Sequence, residues 1–273
     1  MFDTIFSKVR TNRPLIHCIT NYVTTNDCAN LLLACGASPI MADDPAEAAD
    51  VTRSCDGLVL NMGTLHEYTV PAMLAAGKQA NLLQHPVILD PVGVGVSSFR
   101  TQTAQKLLQT IHFTAIRGNL SEIKALTFGH HSSKGVDAAE ADKITANNLP
   151  ELMKFAKQAA RALHSIIIIT GAVDIITDGT AAYCVHNGHF MMSAVTGSGC
   201  QLSALTGAFT AANPACPLDA AAAAVCAMGL LGELAAQRMT PLDGNASYRT
   251  YMIDAMYHLT PAQLASGARY TKE

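Results

Sequence analysis

The sequence predicts an α/β fold in which a mostly parallel central sheet is covered by helices on both faces. Several short runs are almost continuously apolar, as expected for parallel strands that are buried on both faces. Helical segments alternate with these runs along most of the chain, a pattern typical of right-handed βαβ crossovers. No repeat and no linker divides the 273 residues, so we predict that residues 1–273 form a single domain.

Four apolar runs are the predicted parallel strands, at residues 57–61, 86–90, 113–117 and 165–170. Two further runs, at residues 173–177 and 181–185, are separated by Asp178-Gly179-Thr180. An Asp-Gly pair between two such runs is a strong turn signal and predicts a β-hairpin. The sheet is therefore expected to contain one antiparallel pair beside its parallel strands.

Eight segments between and after the strands have helical patterning, at residues 25–35, 67–80, 101–110, 122–126, 149–163, 200–212, 219–237 and 247–259. The uncharged stretch at residues 220–232 is too short to span a bilayer and is bounded by Asp219 and Glu233, so it predicts a buried helix. Residues 130–147 are rich in Ser, Gly, Asp and Lys. We expect them to form an excursion on the surface.

Composition and charge narrow the possible partners. The chain is 49% hydrophobic and only 14% charged, which predicts that a homo-oligomer covers part of its surface. A net charge of −3 and the lack of a basic run predict no nucleic-acid partner and no membrane partner. The eight cysteines form no C-x-x-C pair, which indicates free thiols in a reducing compartment. The N-terminus lacks a signal-peptide pattern, so we expect a cytoplasmic protein.

The segment AVTGSGCQ at residues 194–201 is a glycine-rich turn that runs directly into an apolar helix. Gly197, Ser198 and Gly199 let backbone N–H groups converge, and the positive end of the helix dipole adds to the attraction for an anion. Cys200 falls in the first helical turn, where we expect a lowered pKa. An anion site with a reactive side chain at its rim is what phosphoryl transfer requires.

Polar side chains also stand where the predicted parallel strands end. Asp90 ends the second strand and Arg117 the third, Glu122 follows shortly after, and Thr170 ends the fourth. Because ligands of parallel sheets bind beyond the carboxyl ends of the strands, these residues are expected to meet at one edge. An aspartate, a glutamate, an arginine and an anion site together predict a nucleotide and magnesium site.

Each of these residues also has a purely structural interpretation. Asp90 precedes a proline and fits a turn, Arg117 fits an ordinary salt bridge, and Asn119 to Glu122 fits a helix N-cap pattern. There is no G-x-x-x-x-G-K-[ST] motif, which excludes a P-loop enzyme.

Cys200 also leaves a different chemistry open. A cysteine hydrolase would need a histidine close to Cys200 in space, and the candidates are His17, His66 and His189. The sequence alone does not separate this alternative from a kinase.

Six segments in the same order resemble the hydroxyethylthiazole kinase family of the ribokinase-like superfamily, and the resemblance covers nearly the whole chain. They are HCITNYV at 17–23, PIMA at 39–42, LNMGT at 60–64, DPVGVG at 90–95, RGNLSE at 117–122 and TGSGC at 196–200. The resemblance implies a ribokinase-like three-layer sandwich. It also implies ATP- and Mg²⁺-dependent phosphorylation of the primary alcohol of 4-methyl-5-(2-hydroxyethyl)thiazole in thiamine salvage, by a homotrimer with active sites between subunits.

The resemblance also implies roles for individual residues. Arg117, Thr170 and Asn119 are implied to contact ATP. Asp90 and Glu122 are implied to hold the magnesium, and Met41, Gly197 and Asn21 are implied to contact the thiazole. Cys200 occupies the place where most of the superfamily has an aspartate as catalytic base. Two alternatives on the same fold are an ATP-dependent dehydratase of hydrated nicotinamide nucleotides and a non-catalytic nucleotide-binding relative.

Overall fold

The computed structural model describes residues 1–128 and 148–273; the predicted excursion at residues 130–147 lies outside the described residues. The helices are α1 (Phe2–Asn12), α2 (Thr25–Cys35), α3 (Ala48–Arg53), α4 (Thr69–Leu82), α5 (Ser98–Thr110), α6 (Leu120–Phe128), α7 (Leu149–Leu163), α8 (Ser198–Ala212), α9 (Pro217–Arg238), α10 (Asn245–His258) and α11 (Pro261–Gly267). The strands are β1 (Leu15–Ile19), β2 (Ser38–Ile40), β3 (Gly57–Asn61), β4 (Val87–Asp90), β5 (Ala115–Asn119), β6 (Ile166–Thr170), β7 (Asp174–Thr177), β8 (Ala182–Val185) and β9 (Tyr270–Lys272). A 3-10 turn spans Phe190–Ala194.

The strands described above form one sheet in the order β2-β1-β3-β4-β5-β6-β7-β8-β9. Neighbours from β2 to β6 are parallel, and those from β6 to β9 are antiparallel. The mostly parallel sheet and its antiparallel hairpin are therefore confirmed. The register sets Asn61 opposite Asp90 and Asn119 opposite Thr170, which brings these four polar residues to the same sheet edge.

The core lies on both faces of the sheet, because successive strand residues point to opposite sides. In β6, Ile166 and Ile168 pack into the cluster formed with α1, α2 and α8–α11, whereas Ile167 and Ile169 pack into the cluster formed with α3–α7. Helices thus cover each face, and the predicted three-layer arrangement is confirmed. The near-continuous apolar runs follow directly from this double burial.

Several elements differ from the sequence prediction. Strand β5 begins and ends two residues later than predicted, so that Asn119 rather than Arg117 ends it. The sequence patterns missed α1, α3 and α11 and the strands β1, β2 and β9. Strand β1 contains a histidine and a cysteine, β2 has three residues including Pro39, and β9 is exposed throughout. These strands lack the long apolar run that signals a strand buried on both faces.

Helix α9 contains the uncharged stretch that we predicted to be a buried helix. At 22 residues, α9 is long and apolar enough to span a membrane by length and composition, and 78% of its most apolar window is buried. Its side chains pack with α8 and α10 in the core on one face of the sheet. This burial is that of a core helix, as predicted.

Candidate active site

Two cavities open at the sheet edge where the parallel strands end. The larger has a volume of about 880 Å³, and its lining includes Arg117, Asn119, Glu122, Thr170 and residues 197–200. The smaller has a volume of about 240 Å³, and its lining includes Met41, Asn61, Thr64, His66 and Tyr68. The predicted residues at the ends of β5 and β6 and in the glycine-rich turn thus share one cavity, while Met41 lies in the other.

The glycine-rich turn ends at the N-terminus of α8. Gly197 is the N-cap residue with a φ of +86°, and its carbonyl accepts a hydrogen bond from the N–H of Gln201 at 2.9 Å. A Cβ on Gly199 would lie 2.6 Å from Nη1 of Arg117, so any larger residue here would displace the guanidinium that pairs with Asp90. No side chain of the described residues caps α8. The N–H groups of its first turn are therefore available to an anion in the larger cavity.

Asp90 and Arg117 form a buried ion pair behind this turn. Nη2 of Arg117 lies 2.5 Å from Oδ2 of Asp90, and both side chains are buried. Ser203 of α8 joins them, because its Oγ accepts from Nε of Arg117 at 3.0 Å and donates to Oδ2 of Asp90 at 2.9 Å. Burial raises the pKa of the Asp90 carboxyl, and the Arg117 guanidinium acts against that rise. The predicted salt bridge exists, and it holds the guanidinium in the wall of the larger cavity.

Cys200 lines the larger cavity and contacts Asn61, which lines the smaller one. Its Sγ accepts hydrogen bonds from Nδ2 of Asn21 at 3.2 Å and from Nδ2 of Asn61 at 3.3 Å. Our expectation of a lowered thiol pKa at this helix N-terminus is wrong. Burial and the nearby Asp90 charge raise the pKa of the Cys200 thiol, and the opposing effects of Arg117 and the hydrogen bonds are smaller. Near neutral pH the sulfur is therefore a thiol.

The orientations of the two amides are determined by their other partners. Oδ1 of Asn61 accepts from the N–H of Gly63 at 2.8 Å, so its Nδ2 faces Oδ2 of Asp90 at 2.6 Å as well as Cys200. Oδ1 of Asn21 accepts from the N–H of Thr24, so its Nδ2 faces Asn61 and Cys200. Asn21 is not among the residues that line either cavity. Its implied contact with a thiazole stays a prediction.

Glu122 forms the capping box that the sequence suggested. Its Oε2 accepts from the N–H of Asn119 at 2.9 Å, while Oδ1 of Asn119 accepts from the N–H of Glu122 at 2.8 Å. Its Oε1 accepts from the N–H of Gly93 at 3.0 Å, which ties the loop after β4 to α6. Burial raises the pKa of the Glu122 carboxyl. Glu122 therefore has a structural role and also lines the larger cavity.

The smaller cavity has an aromatic rim. The ring of His66 stacks with Tyr22 at 6.4 Å and with Tyr68 at 5.1 Å between centroids. Both tyrosines are largely exposed, at 74% for Tyr22 and 61% for Tyr68. The cavity combines apolar side chains such as Met41 with polar groups such as Asn61, which suits a small heterocycle that has one polar end.

The candidate histidines do not support a cysteine hydrolase. Both ring nitrogens of His17 are engaged with Thr52 and with the carbonyl of Ala42, and Nδ1 of His189 accepts from the N–H of Met191. Within residues 1–128 and 148–273, the hydrogen bonds to Sγ of Cys200 come from two asparagines and none comes from a histidine. A cysteine nucleophile activated by a neighbouring base requires such a contact.

Comparison with known proteins decides the family. The sequence model of the hydroxyethylthiazole kinase family matches residues 6–262. The chain belongs to the hydroxyethylthiazole kinase family. It is 55% identical to a protein named hydroxyethylthiazole kinase from Clostridium acetobutylicum, over 270 residues and 99% of each chain. The resemblance inferred from the six segments is therefore confirmed, and the dehydratase alternative is not favoured.

Solved structures give the same result for the fold. A hydroxyethylthiazole kinase protein from Pyrococcus horikoshii superposes with a TM-score of 0.87 at 34% identity, over 100% of this chain and 98% of that one. A ribokinase-like superfamily protein from Enterococcus faecalis superposes with a TM-score of 0.60 at 15% identity, over 97% of this chain and 95% of that one, and shows the fold alone. The predicted ribokinase-like architecture is confirmed.

Sequence reasoning assigned no role to several residues that build this kinase-family site. Asn61 contacts both Asp90 and Cys200, Ser203 joins Asp90 to Arg117, and Thr24 packs against Gly197. Asn61 ends a predicted strand just as Asp90 does, so its position at the strand end was a usable signal. Ser203 lies inside α8 and Thr24 is the N-cap residue of α2, and neither follows a predicted strand.

Within the part of the chain that the structure describes, one carboxylate oxygen of this site is left without a hydrogen-bond partner and could face a hydrated Mg²⁺. Oδ1 of Asp90 is buried and has no hydrogen-bond partner among the described residues. The same residues contain no group of three or more His, Cys, Asp or Glu side chains that could enclose a metal. Mg²⁺ usually keeps several waters and is held by one or two carboxylates together with substrate phosphates. Oδ1 of Asp90 is the carboxylate oxygen that the described part of this site leaves unpaired, whereas both oxygens of Glu122 accept from backbone N–H groups.

Proposed function

We propose that this chain transfers the γ-phosphoryl group of ATP to the primary alcohol of 4-methyl-5-(2-hydroxyethyl)thiazole, as part of thiamine salvage. Membership of the family supports ATP as the donor and the thiazole as the acceptor. The observation on which the proposal rests is the position of the first turn of α8. Its open N–H groups and Cys200 line the larger cavity, proposed for the donor, and Cys200 contacts Asn61 in the wall of the smaller cavity, proposed for the acceptor.

ATP is assigned to the larger cavity. Its volume of about 880 Å³ is within the usual range for a small-molecule site. The triphosphate would lie at the N-terminus of α8, where residues 197–200 provide backbone N–H groups and Arg117 provides a positive charge. Thr170 and Asn119 line the same cavity and remain proposed ATP contacts.

The thiazole is assigned to the smaller cavity. Met41 lies in its wall and is the proposed apolar contact. Gly197 lines the larger cavity, and its contact with the thiazole remains a proposal from the family resemblance alone. In this pose the alcohol of the acceptor points toward Cys200 and Asn61. Its oxygen would then attack the γ-phosphorus while the bond from that phosphorus to the leaving oxygen of ADP breaks in line, and the alcohol proton would pass to an oxygen of the transferred phosphoryl group.

Catalysis by this site consists mostly of positioning and electrostatics. Negative charge grows on the transferring oxygens, and the N–H groups at residues 197–200 are oriented to stabilise it. Because the Cys200 thiol has a raised pKa, it is a hydrogen-bonding group that orients the alcohol and contributes little as a base. When bound near Asp90 and Glu122, Mg²⁺ supplies positive charge that neutralises the β- and γ-phosphates.

We further propose a cytoplasmic homotrimer with active sites between subunits. The charged fraction of only 14% and the exposed aromatic rim of the smaller cavity support this assembly. Tyr22, Val23 and Tyr68 are large, exposed and adjacent to the acceptor cavity. A neighbouring subunit packed on them would bury apolar surface and close the cavity.

The test is ADP release from ATP and Mg²⁺, measured with hydroxyethylthiazole, without it, and with a panel of other heterocyclic alcohols. Thiazole-dependent turnover is the expected result. Turnover only with another alcohol would refute the acceptor assignment, and Met41 would be the first contact to discard. Saturable nucleotide binding without turnover on any alcohol would identify a non-catalytic relative.

A further inference from the structure

His17 is a buried histidine that the proposed mechanism does not use. It lies in β1, is 0% exposed, and pairs in register with Ile40 of β2. Its Nε2 lies 2.8 Å from the carbonyl oxygen of Ala42, and its Nδ1 lies 2.8 Å from Oγ1 of Thr52 in α3. One ring therefore joins three elements: the strand that contains it, the loop after β2, and a helix on the outer layer.

The loop after β2 forms one wall of the smaller cavity. Met41, Ala42 and Asp43 line the cavity, and none of them belongs to a helix or strand. Thr69 and Met73 of α4 also line it. The hydrogen bond from His17 reaches this loop at its middle residue, so the position of the ring affects where the cavity wall lies.

The partners of the ring decide its tautomer. A carbonyl oxygen only accepts, so the contact with Ala42 requires the proton on Nε2. A neutral ring then has a bare Nδ1, which must accept from the hydroxyl of Thr52. That hydroxyl also lies 2.8 Å from the carbonyl of Ala48, and with its single proton it can donate fully to only one of the two. Burial lowers the pKa of His17 and thus favours the neutral ring, in which Thr52 is the donor.

We propose that His17, held as its Nε2–H tautomer by Thr52, is a positioning residue that sets the Met41–Asp43 wall of the acceptor cavity. The proposal rests on the acceptor assignment made above. His17 is not among the residues that line the donor cavity, and its two ring nitrogens bond to Thr52 and Ala42, which belong to neither α8 nor that cavity. Its loss should therefore weaken acceptor binding selectively.

The first variant is His17→Leu, which removes both hydrogen bonds and keeps an apolar side chain in the core. Losing one buried hydrogen bond at the loop should raise KM for the acceptor about tenfold, while KM for ATP changes less than about twofold. In the same protein, hydrogen–deuterium exchange across residues 41–48 should accelerate. That measurement needs no activity and no ligand.

A matched pair at Thr52 controls for loss of folding. Thr52→Val keeps the shape of the side chain but removes the donor to Nδ1, whereas Thr52→Ser keeps the hydroxyl. We expect Thr52→Val to raise KM for the acceptor and to loosen the loop in the same direction as His17→Leu, and Thr52→Ser to resemble the wild type. A purely structural role would lower thermal stability in all these variants without separating the two KM values.

Two results would overturn the proposal: an unchanged exchange rate across residues 41–48 in His17→Leu, or an equal rise in KM for ATP and for the acceptor. Failure of the proposed function would look different. In that case the wild type itself would show no thiazole-dependent turnover, while the exchange measurement would still report whether His17 holds the loop.

Discussion

Gly197→Ala tests whether the first turn of α8 stabilises the transferring phosphoryl group. Gly197 has a φ of +86°, which costs an L-residue about 1–2 kcal/mol. An added Cβ would also lie 2.2 Å from Cγ2 of Thr24, a contact that real side chains do not tolerate. The turn must shift away from α2, and the N–H groups of the first turn of α8 would no longer point at the transferring phosphoryl group.

Gly197→Ala is expected to reduce kcat strongly and to lower Tm only moderately. Misaligned oxyanion donors typically cost about 10²–10³-fold in kcat, and we expect a loss in this range from ADP-release assays. The backbone strain alone should lower Tm by about 2–8 °C, given about 2–4 °C per kcal/mol for a chain of this size.

Two further variants separate the causes. Gly244 is also a helix N-cap, but its φ is −117° and no atom lies within 4 Å of an added Cβ, so Gly244→Ala should keep full kcat. Adding Thr24→Ser to Gly197→Ala removes the clashing methyl while keeping the hydroxyl that bonds to Asn21, and should restore part of the activity. A folded Gly197→Ala protein with wild-type kcat would refute the role of this turn.

Three other changes test the rest of the site. Removal of a general base typically costs about 10²–10⁴-fold, and Cys200→Ala should fall at the low end of that range in ADP release, because the thiol with its raised pKa contributes orientation more than proton abstraction. Activity at the background level would make Cys200 essential. Glu122→Gln should raise the Mg²⁺ concentration that gives the half-maximal rate. It should also lower the free energy of unfolding by about 1–3 kcal/mol, because one backbone N–H loses its acceptor. An unchanged Mg²⁺ titration would show that Glu122 has only the capping role. Burial raises the pKa of Asp174 to about 7 from 3.8, so the folded protein holds a proton that the unfolded chain has lost at intermediate pH. Stability should therefore fall as pH rises between about 4 and 7, and Asp174→Asn should abolish that fall in melting experiments; an unchanged slope would contradict this assignment.

The layers of this fold were predictable because a strand that is buried on both faces is apolar at every position. Runs such as residues 166–169 are apolar at every position, since each residue faces one of two helical layers. Strands β1 and β2 were missed because His17, Cys18 and Pro39 interrupt that pattern. The buried His17 satisfies its ring nitrogens through residues 35 and 25 positions away, which no local pattern reveals.

By itself, the sequence determined the architecture, the family, and the sheet edge to which Asp90, Arg117, Glu122 and the glycine-rich turn belong. Parallel strands end at one edge, so the residues at their ends meet there whatever the details of packing. Only the tertiary structure decided the chemical state of Cys200, whose helix position suggested a lowered pKa. Its sulfur is buried beside Asp90 and bonded to amides 179 and 139 residues away, and burial outweighs the local effect of the helix.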